Sequence, residues 1–475
     1  MKRFIEGVNR AQSTLFPERL EDFVGEDNPV RVIEAFVEAL DLRKLGFSGV
    51  DPHATGRPAY HPAVLLKLYL YGYLNRIHSS RRLERETQRN VELMWLIERL
   101  SPDFKTIADF RKDQGKALRG VCREFVVLCR RLDLFAEALV AIDGSKFKAV
   151  NNRDRNFTPA KMQRRLEQID QSIARYLGQL DRADDEEPVA AATSERLNDK
   201  IAALREELAQ LKVLEAEMNA TPDKQLSLTD PDARSMKTRG NGIVGYNVQT
   251  AVDASHHLIV AHDVVNTGSD RSQLTRMAKQ ARVAMGTGHL TAIADRGYYK
   301  SDEILACEQA GITVALPKPQ TSDKRLKGLF GRDRFHYEPD QNAYRCAAGE
   351  WLTWRFRNVE SGRTLDTYWS SACPHCPIKA RCTTGPQRRL KRWVHEDVLE
   401  AVQARLDAQP DTMRIRRQTA EHPFGTLKAW MGATHFLTRT LPNVRTEMSL
   451  HVLAYNLKRV LNLLGPIALI RAIQA

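Results

Sequence analysis

The sequence predicts an α/β protein. A mixed sheet flanked by helices forms the middle of the chain, with a helical domain ahead of it, a helical-hairpin insertion within it and a small cysteine-rich insertion after it. Three observations predict this. The first 135 residues carry apolar side chains at helical spacing. Short apolar runs then alternate with helical patterns. A long charged stretch with leucines at helical spacing interrupts them from Pro159 to Met218. A chain of 475 residues is too long for one ordinary core, so several domains are expected. The expected divisions are 1–135 (helical), 136–335 (first part of the α/β core, with the insertion at 159–218), 336–396 (cysteine-rich and basic) and 397–475 (helical remainder of the core).

Each element has a local reason. Asn28-Pro29 supplies a cap and a proline at the first helical position, followed by Ile33, Phe36, Val37 and Leu40. A second helix starts near His61-Pro62 and carries Leu65, Leu66, Leu68, Tyr69 and Tyr73. Ser79 or Ser80 caps a third. Thr106 with Asp109 reads as a capping box for one long helix through Leu128. Arg81, Arg82, Arg85, Arg89, Lys105 and Arg111 give these helices basic faces suited to docking on DNA.

Leu139–Ile142 then form an apolar strand ending at Asp143-Gly144. In the long charged stretch, Leu166, Ile169, Ile173 and Leu177 repeat at helical spacing, as do Leu197, Ile201, Leu204, Leu208 and Leu211 beyond an acidic break. Strand signals return at 245–252 and 257–265 as a hairpin. Ser269 or Asp270 is expected to cap a helix through Met285. Leu290–Ala294 is another short strand, ending at Asp295. A helix at 303–310 and a strand at 311–316 follow.

Composition narrows the function. Hydrophobic residues make up 42% and charged residues 28%, a globular balance, and 72 Lys and Arg against 59 Asp and Glu leave a net charge of +13. Such an excess points to a polyanionic partner. No apolar run approaches the roughly 18 residues of a membrane span. The opening MKRFIEGVNR lacks the apolar stretch of a secretory signal. Seven cysteines, an odd number, argue against a disulfide scaffold and fit a reducing cytoplasm.

Two aspartates, Asp143 and Asp295, each close an apolar strand, and neighbouring strand ends can bring them together. An Asp in that position is often only a helix cap. A third element adds weight: in RIRRQTAEHPFGTLKAWMG, Arg417, Glu421 and Lys428 are four and then seven residues apart, so a continuous helix projects all three from one face. Pro423 threatens that continuity unless it lies in a first turn.

AIDGSKFKA around Asp143, IADRGYYK around Asp295 and the Arg417–Glu421–Lys428 element, in that order, resemble the DDE transposases of bacterial insertion sequences. The resemblance covers nearly the whole chain and is to the subgroup with an N-terminal helical domain and a cysteine-bearing insertion. It implies a ribonuclease-H-like catalytic fold, with Asp143, Asp295 and Glu421 as the catalytic carboxylates and Arg417 and Lys428 on DNA phosphates. Arg414 stands where the family signature has Tyr. Carboxylates suit this chemistry because Mg²⁺ or Mn²⁺ takes hard oxygen ligands. Two such ions about 4 Å apart can activate a water or a 3′-OH and neutralise the leaving oxygen. Asp143 would bridge them, with Asp295 and Glu421 each holding one. The resemblance further implies binding to terminal inverted repeats and target DNA, a homodimer in the synaptic complex, no membrane, and a place in the bacterial cytoplasm beside the nucleoid. A nuclease of the same fold that cuts without joining, and a non-catalytic DNA-binding regulator, are the competing readings.

Cys346, Cys373, Cys376 and Cys382 precede the Glu421 segment with a spacing that suits one structural Zn²⁺, with His375 a spare ligand. Cys122, Cys129 and Cys307 lie on helical patterns and read as core residues. Arg388, Arg389, Lys391 and Arg392 belong to the densest basic stretch of the chain and are expected on the DNA backbone.

Overall fold

The computed structural model describes residues 19–52, 58–135, 137–152, 155–184, 190–238, 242–319 and 328–475. The N-terminal part is helical: α1 (Pro29–Glu38), α2 (Pro62–Leu74), α3 (Ser80–Thr87), α4 (Val91–Leu96), α5 (Phe104–Asp113) and α6 (Gly115–Arg131). The Asn28 side chain accepts from the Val30 N–H, which caps α1 as its sequence predicts. The expected long helix from Thr106 is two helices. Asp103, not Thr106, is the cap, accepting from the N–H groups of Lys105 and Thr106. The chain breaks at Gln114, and at Gly115 a Cβ would come within 2.6 Å of the Thr446 hydroxyl, so glycine there lets the start of α6 lie close to Thr446.

Next come β1 (Leu139–Lys148), β2 (Asn156–Phe157), α7 (Pro159–Asp184), α8 (Ala190–Ala220) and β3 (Leu226–Ser227). Helices α7 and α8 form the hairpin that the leucine spacing predicts. Met162, Ile169, Leu211 and Met218 are buried between them, and β2 pairs with β3 at the base.

The central sheet adds β4 (Arg234–Met236), β5 (Ile243–Asp253), β6 (Ile259–Val265), α9 (Leu274–Met285), β7 (Leu290–Ala294), α10 (Ser301–Gln309) and β8 (Ile312–Ala315). Its order is β4-β5-β1-β7-β8, and β6 also pairs with β5. Strand β1 runs parallel to β7 and antiparallel to β5. It does not stop at Asp143, as the apolar run suggests. It continues five residues to Lys148, because β5 goes on pairing with it. The expected cap at Ser269 or Asp270 is also displaced, since α9 starts only at Leu274.

A second, antiparallel sheet follows in the order β13-β12-β11-β10-β9. Its strands are β9 (His336–Glu338), β10 (Ala343–Arg345), β11 (Trp351–Glu360), β12 (Arg363–Trp369) and β13 (Leu390–Trp393). The chain ends in α11 (Glu396–Ala408), α12 (Thr412–Gly425), α13 (Leu441–Leu464) and α14 (Pro466–Gln474). Buried along most of its length, α13 joins α2, α6 and β6 into one apolar cluster.

The two faces of the central sheet differ. Val140, Ile142, Ala292 and Ala294 pack on α9 through Leu274, Met277, Ala278 and Ala281. On the other face Ala141, Ile293 and Ala315 receive Ala420 of α12. Small residues on both sides let that helix lie close to the strands.

Candidate active site

Register brings the two aspartates together. Parallel pairing of β1 with β7 runs from Leu139 opposite Thr291 to Ile142 opposite Ala294 and ends there. The next residues are Asp143 and Asp295, so both carboxylates leave neighbouring strands at one level, on the face that carries Ala420. Beyond that point β7 turns away. Asp295 accepts from the Gly297 N–H at 2.7 Å and caps a short 3₁₀ turn.

The two carboxylates share one cation. A guanidinium nitrogen of Arg416 lies 2.7 Å from Asp143 Oδ1 and 3.9 Å from Asp295 Oδ2. The side chains of Arg416 and Asp143 are only 11% and 18% exposed, while Asp295 is 45% exposed. Burial pushes the Asp143 carboxyl up to about 6, with Asp295 and Asp270 adding repulsion and Arg416 and the Gly144 N–H opposing it. A site of this kind disfavours its own negative charge and gains from any added cation.

Helix α12 supplies the remaining candidates. It runs unbroken through Pro423 and passes into a π-helical turn at Thr426–Trp430. Proline has no N–H for the Thr419 carbonyl. Burial lowers the His257 imidazole, which faces that carbonyl and is raised by it. Glu421 is exposed, one residue beyond Ala420. Arg417 is exposed as well. Neither has a hydrogen-bond or ion-pair partner among the described residues. Lys428 turns onto β1, where its ammonium donates to Ser145 Oγ at 2.7 Å and to the Lys146 carbonyl at 3.0 Å. Arg414, at the position of the signature Tyr, pairs with Asp411. Asp143 and Asp295 are thus joined through Arg416, Lys428 sits two residues along β1, and Glu421 stands on the neighbouring helix with its carboxylate unpaired among the described residues.

Two residues escaped the sequence reading. Arg416 is one: Ala420, four residues on, marks the sheet-facing side of α12, and that small residue was the available signal. Asp270 is the other. Rather than capping a helix, it accepts from Asn247 Nδ2 and Gln249 Nε2, both at 2.7 Å, and pairs with Lys146 at 3.2 Å. Tyr298 donates to Gln249 Oε1 at 2.5 Å and completes this network. The network fills the space beside Gly144, where a Cβ would lie 2.3 Å from Gln249 Nε2 and 2.6 Å from Asp270 Oδ1.

The cysteines and the basic stretch meet in the second sheet. Cys346, Cys373, Cys376 and Cys382 line one small cavity together with Phe330, Phe335 and Arg388. Burial raises the Cys382 thiol against the pull of Arg388, and the other three thiols raise it further. Cys122, Cys129 and Cys307 are buried. Among the described residues, no group of three or more His, Cys, Asp or Glu side chains is set in metal-coordinating geometry.

In the basic stretch, Arg388 and Arg392 turn inward. Arg388 donates to the carbonyls of Cys382 and Phe330 and lies over the Phe335 ring. Arg392 pairs with Glu400 and stacks on Tyr337. Lys391 pairs with Glu360, and exposed Arg389 lies over Trp369. Arg111 also turns inward, onto Tyr73 and Tyr69.

Comparison with known proteins finds two transposase families. A transposase domain (DUF772) matches residues 18–113, and a transposase DDE domain matches residues 220–457. The second match includes Asp295 and Glu421, while Asp143 lies between the two. No curated protein matches. A solved structure of the piggyBac transposase synaptic complex with hairpin DNA aligns over 94% of this chain and 79% of that one, at 8% identity and a TM-score of 0.31. The DDE domain spans half of the chain and contains two of the three carboxylates, and with it the chain belongs to the DDE transposase family.

Proposed function

We propose that this transposase cuts the ends of its element and joins them to target DNA at Asp143, Asp295 and Glu421. The observation that carries the proposal is the register. Pairing of β1 with β7 ends at Ile142 and Ala294, and the two aspartates that follow share Arg416. The sheet order, with β1 parallel to β7 and antiparallel to β5, supports assigning a ribonuclease-H-like core.

The donor set fits divalent cations. Three carboxylates offer hard oxygens, Asp143 disfavours its own charge, and among the described residues Glu421 has no partner that must be displaced. Mg²⁺ or Mn²⁺ held there would activate the attacking oxygen and neutralise the leaving one. The chain does the rest. Strand β5 holds Asp143 in place, Ala420 sets the height of the Glu421 helix, and Arg417 and Lys428 would contact phosphates flanking the scissile bond. In the absence of metal, Arg416 serves as the counterion of the two aspartates. The four cysteines around one cavity support a structural Zn²⁺. Arg389, exposed beside them, is the member of the basic stretch best placed for DNA. Joining needs two ends in one complex, which we assign to a homodimer. Among the described residues no helix is long and apolar enough to cross a membrane. The DNA partners place the protein with the nucleoid in the cytoplasm.

The test is incubation with end-bearing duplex and Mg²⁺ or Mn²⁺, with cuts and joints mapped to the nucleotide. Cleavage and strand transfer, both lost in Asp143→Asn, are expected. Cutting without joining would make the protein a nuclease, and binding without cutting a regulator.

A further inference from the structure

A groove of about 1010 Å³, apart from the carboxylates, is walled by α6 and α9 and floored by β6. Six cations line it: Arg119, Arg123 and Arg130 from α6, Arg276 and Lys279 from α9, and Arg445 from α13. Among the described residues the one carboxylate lining it is Asp263, which is held by both Arg276 and Arg445. Arg119 donates to Thr446 Oγ1 at 3.0 Å. Arg123, Arg130 and Lys279 are exposed and have no hydrogen-bond or ion-pair partner among the described residues. Six like charges around one cavity repel one another. Burial lowers Arg119 and Arg276, and neighbouring arginines lower them further. Such crowding is unfavourable until an anion arrives.

We infer that this groove binds the phosphate backbone of DNA, on a track separate from the strand being cut. The inference rests on the transposase reading and adds to it a second DNA contact. Length argues for a polymer over a single phosphate. Arg119, Arg123 and Arg130 occupy one stripe of α6 that extends about 16 Å at 1.5 Å per residue. That length matches about five phosphates at 3.4 Å per strand. Position argues for a separate track. The helix α9 wall packs on the face of Val140 and Ile142, whereas Asp143 lies on the opposite face and β5 intervenes. Guanidinium and ammonium groups without base-reading partners predict backbone contact with little sequence preference.

The experiment measures binding of fluorescent duplex by the full chain as a function of salt, for wild type and for the triple variant Arg123→Gln, Arg130→Gln, Lys279→Gln. All three side chains are exposed, so the fold should persist, which circular dichroism checks. Each lost phosphate contact lowers the salt slope by about 0.9, so a fall of about 2 to 3 is expected. The matched double variant Arg123→Lys, Arg130→Lys, with Lys279 kept, should hold the wild-type slope. Asp295→Asn should abolish cleavage and keep the full slope, which separates failure of the catalytic reading from failure of this one. A folded triple glutamine variant with unchanged slope overturns the proposal. So does a slope lowered by one or less together with competition by inorganic pyrophosphate at one per chain, which would make the groove a small-anion site.

Discussion

Removing Arg416 gives the sharpest test of the charge arrangement at the carboxylates. Arg416→Ala takes away the cation 2.7 Å from Asp143 and 3.9 Å from Asp295. Breaking a buried ion pair from one side costs about 3–5 kcal/mol. Here the loss should be smaller, about 2–3 kcal/mol, because water reaches Asp295 and Asp143 can protonate instead. The pH dependence follows from that escape. Asp143 already sits near 6, above its unfolded value, so its protonated form is favoured by folding. The corresponding stability is present below the unfolded value and is lost as pH rises through the folded one. Without Arg416 the carboxyl should rise further. The gap between variant and wild type should therefore be small at pH 5 and full at pH 8.

Metal should close the same gap. A ligand at one hundred times its dissociation constant stabilises by about 2.7 kcal/mol, close to the expected loss. The assay is thermal and urea unfolding of both proteins at pH 5 and pH 8, with and without Mg²⁺. Mg²⁺ should stabilise the variant more than the wild type, where Arg416 already supplies positive charge. An equal response to Mg²⁺ in both proteins, or no loss of stability at pH 8, would show that Arg416 is not the counterion of this pair.

Other expectations can be checked separately. Glu421→Gln should lower strand cleavage at least a thousandfold, about 4 kcal/mol, while gel shifts on the same duplex stay near wild type; cleavage at the wild-type rate would remove Glu421 from the site. Lys428→Ala and Arg417→Ala should each lower the salt slope of binding by about one, and unchanged slopes would place both on the solvent side. Protein purified without chelator should hold about one zinc per chain with sulfur distances near ~2.3 Å, lost in Cys373→Ser; freely reactive thiols without zinc would refute this. Gly144→Ala should displace Gln249 and Asp270 and depress cleavage more than binding, and full activity in that variant would mean the network is not needed.

Much of the architecture was legible because it rests on periodicity. The leucines of the 159–218 stretch repeat at helical spacing and form α7 and α8, and the runs before Asp143 and Asp295 are apolar enough to mark β1 and β7. What was missed depends on register and facing, which local pattern does not encode. Strand β1 continues past Asp143 through Gly144, Ser145 and Lys146, residues that look like a turn until β5 is seen to pair with them. Arg416 and Arg417 are adjacent, and a helix turns about 100° between them, so one faces the sheet and the other water. Arg388 and Arg392 read as a DNA-facing stretch, yet the strand alternation of β13 and its approach turn both inward, onto carbonyls, Glu400 and aromatic rings.

The same register explains how a buried carboxylate is tolerated at Asp143. On one side β7 ends, which frees the space for Asp295. On the other β5 continues, so the backbone around Asp143 stays paired through Lys148 and does not relax. Each face of β1 is then balanced by its own ion pair: Asp143 with Arg416 above, Lys146 with Asp270 below. Asp270 lies close enough to raise Asp143, and Lys146 and the two amides of Asn247 and Gln249 hold it where that repulsion is fixed. The lower pair therefore tunes the charge of the upper one through a single strand. Carboxylates held in this way by rigid neighbours relieve their repulsion by taking up a cation or a proton and not by local unfolding, because the backbone around Asp143 stays paired.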